Sequence, residues 1–130
     1  MLAATDLTED SEPALRAAFE VAGAFGGNVI AVHVAAADAG PEALVRARRD
    51  LQSQVHRVRE SASGRPPTTE IVVAGEPPLS ILGAAEEHRA DLIVIGTHGR
   101  IGRLRGLIGS VAEQVVRLAR CAVLTVHGPS

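Results

Sequence analysis

The sequence predicts an α/β fold, one doubly wound domain over residues 1–130 in which a five-stranded parallel sheet carries helices on both faces. Three observations point there. Strand-like and helix-like stretches alternate along the chain, the order that a parallel sheet with crossover helices requires. Leu92-Ile93-Val94-Ile95 is apolar without alternation, the pattern of a strand buried on both faces. That run breaks into a loop whose glycines fall as Gly96-x2-Gly99-x9-Gly109, and Ser110 opens a new helix. In such sheets ligands bind beyond the carboxyl ends of the strands, where strand order reverses.

Met1–Ala4 reads as the first strand and ends at Thr5-Asp6. Strands commonly run about 5–6 residues, so this one has the length expected if its start has lost a residue or two. Asp10 or Ser11 caps a helix with Pro13 in its first turn. Leu15, Ala18, Phe19 and Ala22 recur there at helical spacing until Gly26-Gly27 ends the pattern. Val29–Val34 is the second strand, followed by a small-residue loop. From Pro41 to about Ser61 the apolar positions Leu44, Ala47, Leu51, Val55 and Val58 keep one helical face, the longest helix of the chain. Gly64–Pro67 breaks it, Glu70–Ala74 gives a third strand, and Gly75-Glu76-Pro77-Pro78 turns the chain into a short helix to His88. After the buried run at Leu92, the last helix carries Val111, Val115 and Leu118 on one face, and Cys121–Val126 is the fifth strand. Asp6, Val34 and Gly96 therefore end three strands and arrive at the same edge of the sheet.

The glycine loop has the makings of a phosphate cradle. Glycine lets the backbone turn with positive φ and lets a ligand approach the amides closely. Ser110-Val111-Ala112-Glu113 has the capping-box pattern, which predicts a helix start whose unpaired N–H groups and positive dipole end face the loop and attract anions. Arg100, Arg103 and Arg105 lie between the last two glycines, where guanidinium groups offset the charge of a triphosphate. Any one of these glycines is more commonly a plain turn residue; the constellation is what points to phosphate.

Composition narrows the chemistry. Hydrophobic residues make up 46% of the chain and aromatic ones 2%, so the core is aliphatic, and stacking of a base on a ring is nearly excluded with only Phe19 and Phe25 present. A formal charge of −2 gives no footprint for nucleic acid or an anionic membrane. All 13 basic residues are arginine, which rules out a P-loop lysine and a Schiff-base lysine. With Cys121 alone there is no intrachain disulfide and no cysteine-based zinc site, as suits a reducing cytoplasm. The chain has no apolar run of about 18 residues and no signal-peptide pattern at its start, so a soluble cytoplasmic protein is expected. The five histidines show no metal-ligand spacing. His33 reads as a packed strand histidine, Cys121 as a small buried hydrophobe, and His98 as a loop residue within reach of a phosphate though more commonly solvent-facing.

Taken together these residues resemble the universal stress protein family, in its ATP-binding branch. The most specific match is Gly96-x2-Gly99-x9-Gly109-Ser110, which meets the family's nucleotide-binding motif at every defined position. Thr5-Asp6 ahead of Ser11-Glu12-x2-Leu15, His33-Val34 and Gly75-x-Pro77 support it. Leu7 departs from it, standing where many members have glycine, and residues 100–105 are richer in arginine than the motif demands. The resemblance implies a Rossmann-like sheet of strand order 3-2-1-4-5 with an adenine nucleotide between the first and fourth strands. Asp6 would then contact the ribose, Val34 would hold the adenine edge through its backbone, and Gly96 would pack against the adenosine. Gly99, Gly109 and Ser110 would bind phosphates, with His98, Arg100 and Val111 beside them. The implied cofactor is ATP, with Mg or Mn carried on its phosphates.

The residues admit three functions. The resemblance implies a regulatory, stress-response ATP-binding protein. An ATP-using enzyme is the rival, at most a slow hydrolase, because phosphoryl transfer needs a positioned base and a metal clamp that the sequence does not display. A dimeric interaction module with a vestigial pocket is the third. In the implied strand order, Cys121–Val126 is an edge strand with no charge, proline or bulge to discourage pairing, so a homodimer through residues 121–126 is expected.

Overall fold

The computed structural model describes residues 1–97 and 109–127. In chain order its elements are β1 (Leu2–Ala4), α1 (Glu12–Phe25), β2 (Val29–Ala35), α2 (Pro41–Ser61), β3 (Thr68–Ala74), α3 (Pro77–Glu87), β4 (Leu92–Gly96), α4 (Ser110–Leu118) and β5 (Ala122–Val126), with a 3-10 turn at Glu9–Ser11 ahead of α1. The strands form one parallel sheet in the order β3-β2-β1-β4-β5.

Alternation of side chains across the sheet explains why its central strands look uniformly apolar. Ala3 and Val94 point to one face, where they pack with Leu15, Phe19, Leu51, Val55 and Val58 of α1 and α2. Leu2, Ile93 and Ile95 point to the other, against Ile81 and Ala84 of α3 and Ala112 and Val115 of α4. Both faces are covered, so no polar alternation survives. The three-residue β1 holds its central place because it pairs on both sides, Leu2 with Ile30 and with Ile93.

Several boundaries and one helix face differ from the sequence reading. β3 begins at Thr68, because Thr68 and Thr69 extend the ladder opposite Val29 and Ile30 as far as the prolines allow. Strand β2 runs one residue past Val34, to Ala35, and Cys121 lies just before β5, partly buried against the second core. Leu118 is 52% exposed, and Ala112 with Val115 forms the buried stripe of α4. The capping box does not form. Gly109 occupies the N-cap, Ser110 is the first helical residue with no capping bond from the side chain, and Glu113 faces Arg117 at 3.8 Å. Ser11 is at the N-cap of α1, but its hydroxyl is used elsewhere.

Candidate functional site

β1 is flanked by β2 on one side and β4 on the other, so chain order reverses there and a crevice opens at the carboxyl ends. A cavity of about 520 Å³ lies in it. Asp6, Val34, Gly96, Gly109, Ser110 and Val111 all line this cavity. His98, Gly99 and Arg100 lie outside the described residues, as do Arg103 and Arg105.

The wall from β1 is a tight turn, residues 5–8. Asp6 Oδ1 accepts from the Thr8 amide at 2.9 Å, from the Thr8 hydroxyl at 2.5 Å and from the Ser11 hydroxyl at 2.6 Å. Ser11 in turn accepts from the Asp6 amide at 2.9 Å. These bonds orient the carboxylate and close the turn ahead of α1. Leu7 has φ of 69°, the left-handed region that costs a side-chain-bearing residue about 1 kcal/mol or more. The departure at Leu7 thus falls where the backbone favours glycine.

On the adjacent strand, His33 is half-buried and also lines the cavity. Its Nδ1 lies 2.9 Å from the Thr5 carbonyl, an acceptor only, so Nδ1 carries the proton and the ring is held against the β1 turn. Its reading as a packed strand histidine holds, with a place in the cavity wall added.

The opposite wall begins at β4. Thr97 is fully buried, and its carbonyl accepts from the Gly109 amide at 2.7 Å while its amide donates to Val126 at 3.0 Å. Its hydroxyl lies 3.1 Å from His127 Nδ1. Thr97 therefore fastens together the two sides of the glycine motif and the end of β5. The Gly109 amide is occupied by this bond, and the next three amides, of Ser110, Val111 and Ala112, belong to the opening turn of α4. All three residues border the cavity, at the positive end of α4.

Neither Gly96 nor Gly109 has a positive φ; among the described glycines only Gly26 and Gly75 do. A Cβ built on Gly96 would meet Asp10 O at 3.6 Å, an ordinary contact. The protein's own packing does not require glycine at position 96, and its bare backbone faces the cavity.

Two buried polar residues of this region were not among the expected ones. Thr97 had no signal beyond its place inside the motif. Gln54, on α2, could be found as the one amide in an otherwise apolar stripe.

The universal stress protein family model matches residues 1–127. A universal stress protein of Methanocaldococcus jannaschii is 48% identical over 58 residues, 45% of this chain and 34% of that one. Universal stress protein A homolog 1 of Coxiella burnetii is 30% identical over 141 aligned positions, 97% of this chain and 94% of the relative. The match thus spans about a third of the first relative and nearly all of the second. A universal stress protein solved in complex with cAMP superposes with a TM-score of 0.73 at 26% identity, covering 97% of this chain and 94% of that one. The Archaeoglobus fulgidus universal stress protein in complex with dAMP gives 0.75 at 29% identity, covering 95% and 94%.

Proposed function

Because the chain belongs to the universal stress protein family, we propose that residues 1–130 form a domain that binds ATP in the cavity between β1 and β4 and serves as a stress-response regulator. The carrying observation is that a carboxylate from the end of β1, a bare glycine from the end of β4 and the amide-rich start of α4 all border one cavity of about 520 Å³. Two neighbours of the same fold hold cAMP and dAMP, which share with ATP an adenine, a pentose and a phosphate at the 5′ position.

In this reading Asp6 takes the ribose, the Val34 backbone the adenine edge, and Gly96 packs on the adenosine. Phosphates go to Gly109 and Ser110 with the Val111 amide, and Gly99, His98 and Arg100 complete their shell. Mg or Mn travels on the phosphates, whose oxygens are the hard ligands such cations take. Binding is the task, with slow hydrolysis as its upper limit. The working form is a cytoplasmic homodimer paired through β5, supported by that strand's place at the sheet edge. No helix of the described residues is long and apolar enough to cross a membrane.

Titration calorimetry at about 100 µM ATP tests the reading, with a dissociation constant in the micromolar range, near −8 kcal/mol, expected. Gly109→Val should abolish binding by placing a branched side chain where phosphate approaches the backbone. Absence of heat from the parent protein would sink the assignment.

A further inference from the structure

The turn that carries Asp6 is braced from the far side of the chain. Gln54 of α2 is 2% exposed, on the stripe formed by Ala47, Leu51, Val55 and Val58. A leucine or methionine would fill such a position, and burying a carboxamide is costly unless both of its ends are bonded. Both are. The Thr5 hydroxyl donates to Gln54 Oε1 at 2.6 Å, and Gln54 Nε2 donates to the Thr8 carbonyl at 3.0 Å. One carboxamide therefore spans the turn from its first residue to its last, with Asp6 and Leu7 between. The Thr5 hydroxyl also accepts from the Leu7 amide at 3.0 Å, at the residue whose φ is 69°. A left-handed non-glycine residue persists only where its surroundings over-determine it, and here Gln54 adds two bonds from α2 to those that Asp6, Thr8 and Ser11 make within the turn.

We propose that Gln54 is a positioning residue of the nucleotide site: by bridging Thr5 and Thr8 it holds the left-handed turn at Leu7, and so sets the Asp6 carboxylate toward the sugar hydroxyls of a bound nucleotide. This rests on the reading of the cavity given above. Gln54 does not line the cavity and touches no ligand; it acts through the turn.

The experiment compares ATP with 2′,3′-dideoxy-ATP by calorimetry, on the parent protein and on Gln54→Met, a near-isosteric change that removes both bonds. The parent should prefer ATP. In the variant that preference should shrink by about fivefold, the scale of a lost hydrogen bond, while the affinity for the dideoxy analogue stays unchanged. A purely structural role would weaken both ligands by the same factor, because a smaller folded fraction scales both alike, and that outcome overturns the proposal. So does an unchanged preference. If Gln54→Met does not fold, Thr5→Val removes at near-constant shape the hydroxyl that joins Gln54 to the Leu7 amide, and the same shift in ratio is expected of it. A parent protein that binds neither nucleotide defeats the assignment of the cavity itself. One that binds both equally leaves nucleotide binding intact and defeats the role given to Gln54.

Discussion

Ser110 shows how one residue's place in a helix decides what its substitution can report. As the first helical residue behind an N-cap at Gly109, with its side chain exposed and making no capping bond, it contributes little to holding α4 together. Ser110→Ala should therefore leave the melting temperature almost unchanged. ATP affinity should fall by roughly 1–2 kcal/mol if the hydroxyl donates to a phosphate oxygen. Glu113→Ala removes an exposed 3.8 Å pair with Arg117, worth a few tenths of a kcal/mol at most, and should leave affinity unchanged or slightly raised. Thermal unfolding and calorimetry on the two variants check this. A loss of about 1 kcal/mol of stability from Ser110→Ala would mark the hydroxyl as a cap after all.

At the scale of elements, two helical glycines have opposite reasons for being glycine. Gly83 in α3 has open space around a built Cβ, so Gly83→Ala should stabilise by about 0.5–1 kcal/mol through helix propensity alone. Gly23 in α1 lies against the segment that leaves α2, and its Cβ would stand 2.9 Å from the Gly64 Cα. Both sides of that contact are backbone, so Gly23→Ala should destabilise by about 1–3 kcal/mol. Chemical denaturation of both variants reads the two signs directly. No spacing in the sequence separates these glycines, because what distinguishes them is a neighbour some 40 positions away. The same limit explains what else was legible. Element order, the buried β4 and the α1 face at Leu15, Ala18, Phe19 and Ala22 follow from local periodicity, and they stand in the structure. Six of the candidate ligand residues were readable because they end strands or open a helix, and the topology brings such positions to one edge. The Gln54 brace and the Thr97 fastening join residues far apart in the chain, and no local pattern encodes them. The capping box was misread because Ser110 and Glu113 satisfy its spacing whether or not the helix starts one residue earlier.

For the whole molecule, the proposed assembly rests on β5, which lies at an edge of the sheet. β3, at the other edge, is seven residues long and ladders onto β2 along its full length. β5 ends the sheet beyond β4, with Leu124 37% exposed, and α4 exposes Val116 and Leu118 at 49% and 52%. An apolar edge strand without charge or proline is a template for another strand, and an antiparallel pairing of two β5 strands about a two-fold axis closes both edges at once. No residue of β5 lines the cavity, whose walls include the ends of β1, β2 and β4 and the first turn of α4, so pairing through β5 is expected to leave it open. Leu124→Arg should accordingly give a monomer by light scattering at tens of micromolar protein (about −6 kcal/mol of association or stronger being needed for the parent dimer at that concentration), while ATP binding persists. A parent protein with a monomer mass under those conditions would count decisively against pairing through β5. A variant that loses ATP binding together with the dimer would show that the two copies depend on one another for the site.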